Sequence, residues 1–139
     1  MPILGVHHIA IICGDYARSR EFYTGALGLP IVREVYRAER RSHKLDLQVP
    51  DGTQIELFSF PDPPPRATRP EARGLRHLAL RVRGLDEEIA RLASVGVACE
   101  TVRVDEYTGR RFTFFADPDG LPIELYEEPA EASASTRER

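Results

Sequence analysis

Two histidines and two glutamates occupy matching positions in the two halves of the chain. His8 begins the segment His-Ile-Ala-Ile, and His77 begins the segment His-Leu-Ala-Leu. Glu56 and Glu124 each stand in the middle of an Ile-Glu-Leu segment that follows shortly after an Asp-Gly pair. The histidines lie 69 positions apart and the glutamates 68. Two matches in the same order at nearly the same offset indicate an internal repeat.

These four residues carry donor atoms that suit a divalent metal ion. Each lies in a short apolar segment typical of a β-strand, where an unpaired buried carboxylate would cost free energy. Imidazole nitrogen and carboxylate oxygen suit nickel, cobalt, zinc, iron and manganese. The set therefore predicts one metal site, with positions left for a substrate, held by His8, Glu56, His77 and Glu124. Any one of them alone could be an ordinary core or surface residue, which is our interpretation of His7, His43, Cys13 and Cys99.

The elements around these residues predict the order β-α-β-β-β in each half. Asp15 is a suitable N-cap for a helix over 16–27, which Gly28 ends. A second helix over 86–95 ends at Gly96. The predicted strands cover 3–13, 31–37, 44–49 and 54–60 in the first half, and 75–82, 97–104, 111–116 and 122–126 in the second.

The repeat also predicts the domain organisation. A first βαβββ module covers 1–60, a proline-rich linker 61–73, a second module 74–128, and a disordered tail 129–139. A module of about 60 residues buries only a marginal core. We therefore expect the two modules to pack together or against those of a second chain, and we expect a homodimer because two-fold dimers are the commonest oligomers.

Composition narrows the range of partners. The chain of 139 residues is 42% hydrophobic and 29% charged, which is typical of a soluble globular protein. A net charge of −3 argues against nucleic acid or an anionic membrane as the partner. No apolar run approaches the ~20 residues of a membrane span, and the N-terminal segment lacks the features of a signal peptide. Two cysteines are too few for a disulfide framework, so we expect a cytoplasmic protein.

From about residue 4 to residue 127 the chain resembles the vicinal oxygen chelate superfamily. The motifs that carry the resemblance are His-Ile-Ala-Ile at 8–11, Phe-Tyr at 22–23, Leu-Gly-Leu at 27–29, Ile-Glu-Leu at 55–57, His-Leu-Ala-Leu at 77–80, and Asp-Pro-Asp-Gly at 117–120 with Ile-Glu-Leu at 123–125. The resemblance implies an α+β fold in which two βαβββ modules form an open, curved mixed β-barrel around a metal ion. It places the family's ligands at His8, Glu56, His77 and Glu124.

The His-Glu-His-Glu set resembles the bacterial branch of glyoxalase I, a lactoylglutathione lyase, more than other branches. That resemblance implies a metal-dependent lyase or isomerase that moves a proton through a metal-chelated enediolate of a small α-hydroxy-carbonyl or related anionic substrate. Glu124 is the expected base, and Glu56 is the symmetry-related alternative. The positions at which glyoxalase I binds the glutathione carboxylate hold Ile12 and Phe60 here, so glutathione adducts are not the expected substrates.

Two other functions remain open at this point. One is an iron-dependent oxygenase of the same superfamily, although two carboxylates in the ligand set argue against it. The other is a metal-free protein that binds a small molecule of the antibiotic type, although an intact ligand set argues against a pure binder. For an anionic substrate the candidate binding residues are Arg81, Tyr107, Arg110 and Arg111, since arginine suits carboxylate and phosphate groups.

Overall fold

The computed structural model describes residues 2–129 of the chain. The chain divides into two compact units, Met1–Ala72 with Ala116–Leu121, and Arg73–Phe115 with Pro122–Arg139. Of the tail predicted for residues 129–139, residues 130–139 lie outside the described part. No helix within residues 2–129 is long and apolar enough to cross a membrane.

The first unit contains a four-stranded mixed sheet and one helical segment. Its elements are β1 (His8–Cys13), α1 (Tyr16–Glu21), β2 (Ile31–Arg37), β3 (Ser42–Gln48) and β4 (Gln54–Ser59). The strand order is β1-β4-β3-β2, with β1 parallel to β4 and the other pairs antiparallel. This confirms the predicted order β-α-β-β-β.

The second unit repeats this arrangement. Its elements are β5 (Leu78–Val82), α2 (Leu85–Ser94), β6 (Arg103–Val104), β7 (Arg111–Ala116) and β8 (Pro122–Glu127), and the sheet order is β5-β8-β7-β6. Strands β4 and β8 begin 68 residues apart and end 68 residues apart. The internal repeat is therefore confirmed, and so is the α+β fold class.

The first helix has the predicted extent, but only its first half is α-helical. The Asp15 side chain accepts a hydrogen bond from the backbone N–H of Arg18 at 3.1 Å, which confirms the predicted N-cap. Beyond Glu21 the chain continues as a π-helical segment, Phe22–Ala26, in which the Leu27 N–H bonds to the Phe22 carbonyl. Periodicity near 3.6 residues does not distinguish a short π-helical turn from an α-helical one.

Each sheet has one face that is buried beneath its helix and one that is open. In the first unit, Leu45, Leu47, Ile55 and Leu57 are almost wholly buried on the helix side. In the second unit the corresponding core residues are Leu85, Leu92, Ile123 and Leu125. Because side chains alternate along a strand, residues one position away from the buried leucines and isoleucines of β3, β4 and β8 lie on the open face. Glu56 and Glu124 are among them, between the apolar residues that flank each.

The loop Ala116–Leu121 belongs to the first unit and is held there by a buried carboxylate. Asp117, 5% exposed, accepts hydrogen bonds from the Tyr23 hydroxyl at 2.7 Å and from the backbone N–H groups of Asp119 and Leu121. Burial, together with the neighbouring carboxylate, raises the pKa of Tyr23 above its ordinary range. The Asp119 side chain accepts a hydrogen bond from the backbone of Gly14. The Asp-Pro-Asp-Gly and Phe-Tyr motifs thus have a structural role.

Four predicted strands are shorter than expected, and one of them, 54–60, ends a single residue early at Ser59. Strand 3–13 begins at His8, which pairs with Gln54, the first residue of its partner strand β4. Strand 75–82 begins at Leu78, which pairs with Ile123, since the preceding residue of β8 is a proline with no N–H to donate. Only Arg103–Val104 of the range 97–104 is a strand. Glu100, in the part of the range that is not a strand, accepts a hydrogen bond at its carbonyl from the hydroxyl of Thr113.

Candidate metal centre

Strand register brings His8 close to Glu56 in the first unit. The parallel pairing of β1 and β4 places Ala10 beside Glu56, and His8 lies two residues before Ala10 on the same face. The distance from His8 Nε2 to Glu56 Oε1 is 3.6 Å. Glu56 is 9% exposed, so its carboxylate is largely withdrawn from water.

The second unit repeats this geometry with His77 and Glu124. Here β5 pairs in parallel with β8 so that Ala79 lies beside Glu124, and His77 lies two residues before Ala79. The distance from His77 Nε2 to Glu124 Oε1 is 3.1 Å. The Glu124 side chain is 12% exposed, and within residues 2–129 the imidazole of His77 is its one polar partner.

These donors fit a divalent metal ion as two preformed pairs. Each pair offers one imidazole nitrogen and one carboxylate oxygen, the combination that first-row divalent ions accept. Within residues 2–129, the largely buried carboxylate of Glu124 has an imidazole beside it and lacks the cation that would offset its desolvation. In the described part of the chain, no group of three or more His, Cys, Asp or Glu residues is arranged to hold a metal ion. The four-residue ligand set therefore stays a prediction.

A neighbouring histidine contacts the second ring nitrogen of His8. The Nδ1 atoms of His7 and His8 lie 2.9 Å apart, so one ring must donate a proton to the other. If His8 Nε2 is to bind a metal through its lone pair, the proton of His8 is on Nδ1 and is donated to His7. His7 then orients the ligand, which extends the structural role expected for it.

Charged residues surround the first pair. Lys44 lies on β3 with its Nζ atom 2.6 Å from Asp46 and 3.7 Å from Glu56. The Nε atom of Arg33, on β2, is 3.8 Å from the other carboxylate oxygen of Asp46. Lys44 and Asp46 were not among the residues predicted to form the site. Strand alternation places both on the open face, but the β3–β4 register that pairs Asp46 with Glu56 was needed to bring them to the site.

Aromatic residues surround the second pair. The ring of Phe114 meets the ring of His77 edge to face at 5.0 Å between centroids, and Phe112 packs on Phe114 at 6.1 Å. The guanidinium of Arg103 lies over both phenylalanine rings, 5.1 and 5.5 Å from their centroids. The Phe114 ring thus packs on the histidine of the pair, and His77 is the one polar partner of Glu124 among residues 2–129.

The residues predicted to bind an anionic substrate have acidic partners in the second unit. Arg111 donates to Glu127 and Asp86, and these hydrogen bonds raise the pKa of its guanidinium. Arg110 and Arg81 both reach Glu128, at 3.1 and 3.6 Å. The side chain of Tyr107 is exposed. Substrate binding by Arg81, Tyr107, Arg110 and Arg111 stays a prediction.

Comparison with known proteins identifies similar chains of nearly the same length. The chain is 56% identical over 128 residues to the uncharacterized protein YwkD of Bacillus subtilis (strain 168), covering 92% of this chain and 100% of that one. It is 59% identical over 123 residues to the uncharacterized protein YaeR of Escherichia coli (strain K12), covering 88% and 95%. A 2-epi-5-epi-valiolone epimerase of Actinomyces sp. is 29% identical over 150 residues, covering 93% and 82%.

Two solved structures have folds similar to that of this chain. The crystal structure of a glyoxalase family protein from Enterococcus faecalis has a TM-score of 0.85 at 43% identity, covering 91% of this chain and 100% of that one. TnmS3, an antibiotic binding protein from Streptomyces sp. CB03234, has a TM-score of 0.69 at 27% identity, covering 91% and 98%. Residues 5–125 match the sequence profile of one large family. The chain belongs to the Glyoxalase/Bleomycin resistance protein/Dioxygenase superfamily.

Proposed function

We propose that this protein is a metal-dependent lyase or isomerase, related to glyoxalase I, that moves a proton within a small α-hydroxy-carbonyl or related anionic substrate. The observation that supports this most directly is the doubled pair: the same register brings a histidine to a glutamate in each module. The proposed ligands of one metal ion are His8, Glu56, His77 and Glu124. Nickel, cobalt or zinc suits this set best, and iron and manganese are further candidates.

A bound divalent ion would supply Lewis acidity, which stabilises the negative charge that develops on substrate oxygens when a C–H proton is lost. Glu124 is the proposed base that accepts this proton and returns it to the adjacent carbon. Its surroundings support that role, because its side chain is only 12% exposed and His77 is its one polar neighbour in the described chain. Glu56 has the ammonium of Lys44 beside it, which suits a residue that remains a ligand.

Glutathione adducts are not the proposed substrates. Ile12 lies exposed at the end of β1, and Phe60 stacks on Phe58 at 6.1 Å with nearly parallel rings. Both positions thus present apolar surface, which cannot bind the carboxylate of a glutathione moiety. The epimerase among the relatives supports the isomerase class, since epimerisation is also a rearrangement within one substrate.

A homodimer is the proposed assembly. Leu4 is 98% exposed, and Ile3, Val6 and Ile12 add further exposed apolar surface along and before β1. Apolar surface of this kind is characteristic of an interface between proteins. We expect light scattering at micromolar concentration to give twice the mass of the chain, and a monomer mass would contradict the proposal. The two free cysteines, Cys13 and Cys99, suit the reducing cytoplasm.

A second candidate is a protein that binds a small molecule without chemistry. The likeness to an antibiotic binding protein at 27% identity favours it. The two candidates differ in whether the protein removes a proton from its ligand.

Proton exchange separates these two functions. Metal-loaded protein is incubated in D₂O with a panel of α-hydroxy-aldehydes and α-hydroxy-ketones, with the methylglyoxal–glutathione hemithioacetal as the reference, and deuterium incorporation at carbon is followed by NMR. We expect at least one small substrate to exchange faster than the hemithioacetal, and protein treated with EDTA to give no exchange. Absence of exchange across the panel in fully loaded protein would reject the lyase or isomerase in favour of the binder.

A further inference from the structure

The open face of the first module's sheet carries more positive than negative charge. Strands β2 and β3 place Arg33, Arg37 and Lys44 on this face, since Arg33 pairs with Asp46 and Arg37 with Ser42 in the antiparallel register. Asp46 is the partner of both Lys44 and Arg33. The one other carboxylate that residues 2–129 place on this face is Glu56, the proposed metal ligand. Arg37 is therefore left without an acidic partner among residues 2–129.

Arg37 is held in place by two neutral neighbours. Its Nη2 atom donates a hydrogen bond to the Ser42 hydroxyl at 3.0 Å, and its guanidinium carbon lies 5.1 Å from the centroid of the Phe58 ring. Stacking on an aromatic ring leaves the N–H groups at the edge of the guanidinium available for a planar anion. The position of this cation is thus fixed before any ligand arrives.

The Nε atom of Arg37 is the unusual feature of this arrangement. It is buried and has no hydrogen-bond partner, the one such side-chain atom in the described residues. Leaving a buried donor unpaired costs free energy, and native structures rarely do so. An oxygen atom from a ligand would remove this cost if the side chain rotated so that Nε faced the open side of the sheet. Nε–H and Nη2–H together form the donor pair that binds a carboxylate or phosphate through two oxygens.

The location of Arg37 relates it to the proposed metal ligands. Phe58 lies two residues after Glu56 on β4, so a group stacked on Phe58 is about 7 Å along the strand from the Glu56 position. Between them lies Lys44, with its Nζ atom 5.8 Å from the centroid of the Phe58 ring and 3.7 Å from Glu56. Positive charge thus extends along the face from Glu56 to Arg37.

We propose that Arg37, held by Ser42 and Phe58, binds a carboxylate or phosphate group, and that this group is the anionic end of the substrate. The second half of this inference rests on the proposed function, whereas anion binding by Arg37 does not. The substrate class is then an α-hydroxy-carbonyl compound that also carries a carboxylate or phosphate group.

Nuclear magnetic resonance of the full-length protein tests anion binding directly. Inorganic phosphate and acetate are titrated separately into ¹⁵N-labelled protein from which metal has been removed with EDTA, and the Nε–H signal of Arg37 is assigned through bonds from its backbone. We expect a saturable shift of this signal with at least one of the two anions, and the anion that binds more tightly identifies the class of group. No saturable shift with either anion would overturn the inference.

Variants then test whether Arg37 is responsible, with the Ser42 and Phe58 amide signals as the readout. Arg37→Gln should weaken binding at least tenfold, Arg37→Lys should weaken it less because the charge is kept, and Arg40→Gln, at an exposed position nearby, should leave it within twofold. Equal affinity in Arg37→Gln and Arg40→Gln would overturn the inference. Metal content, measured separately, distinguishes this inference from the proposed metal site. A normal metal content without anion binding rejects this inference alone. Anion binding without bound metal rejects the proposed metal site alone.

Discussion

The two modules share their histidine–glutamate geometry and differ in what surrounds it. At an offset of 68 residues, Lys44 corresponds to Phe112 and Asp46 to Phe114, so a charged pair in one module is an aromatic pair in the other. The carboxylate of Glu56 has an ammonium 3.7 Å away, whereas the imidazole of His77 is the one polar partner of Glu124 in the described part of the chain. The two modules thus carry the same histidine and glutamate donors, with charged neighbours in the first module and aromatic neighbours in the second. This supports a shared ligand role for the glutamates and a separate chemical role for one of them.

The turns before the last strand of each module show a second difference. Val49 and Asp117 correspond at the same offset, and each bonds through its N–H to the carbonyl four residues later. The backbone turn is therefore the same. In the second turn, however, the carboxylate of Asp117 also accepts the Tyr23 hydroxyl, a contact that a valine cannot make. Here a repeated turn has acquired a packing function through a single side chain.

The largest expected effect concerns the two glutamates. We expect Glu124→Gln to lower the rate of proton exchange by about 10²–10⁴, the range typical of losing a general base, because the amide can still offer an oxygen to a metal but cannot accept the proton. Glu56→Gln should lower it much less. Exchange is measured by NMR on both variants together with their metal content. If Glu56→Gln were the more damaging change at equal metal content, the roles would have to be exchanged.

The next effect concerns stability. Replacing Asp117 with valine, the residue of the first module's turn, should lower the free energy of unfolding by about 3 kcal/mol, because it leaves a buried tyrosine hydroxyl and two backbone N–H groups without their acceptor. Urea denaturation measures this difference. Asp51→Ala, in the corresponding and exposed turn of the first module, is the control and should change stability by well under half as much. Equal losses would show that the buried carboxylate is not the cause.

The smallest effect concerns the cysteines, one in each module. Cys13 is 1% exposed, and burial raises the pKa of its thiol to about 11, while Cys99 is half-buried with a pKa raised by the same cause. Since the thiolate is the reactive form and forms only at higher pH when the pKa is raised, Cys13 should react with iodoacetamide at pH 8 at least about tenfold more slowly than Cys99. Peptide mass spectrometry after timed alkylation measures both rates, and urea should abolish the difference. Equal rates in native protein would contradict the burial described here.

Much of the fold follows from sequence patterns, because strand alternation and helix caps are local. Asp15 caps the first helix as predicted, and β2 and β7 have their predicted bounds. The shortened strand at 103–104 could not be predicted from the sequence, since its length depends on the hydrogen bonds that Glu100 forms with Thr113 and Phe114 of β7. The π-helical segment could not be predicted from the sequence either, because a single wide turn leaves no clear periodic signal.

The candidate site was predictable in its donors and not in its neighbours. His8 and Glu56 could be paired from the repeat, since equivalent positions in two modules identify them without any register. Lys44, Phe112 and Arg37 could not, because their proximity to the donors depends on antiparallel registers between β2, β3 and β4 or between β6 and β7. A one-residue change of register would move each to the other face.

Metal content of the purified protein tests the central claim most directly. Wild-type protein, His8→Ala, His77→Ala and the control His43→Gln are loaded, dialysed and measured by elemental mass spectrometry, with folding checked by circular dichroism. His43 is a suitable control because it stacks on Tyr16 beneath the sheet, away from the open face. We expect one divalent ion per chain in the wild type and control, and loss of most of it in His77→Ala and His8→Ala. Full metal retention in both alanine variants would contradict this expectation.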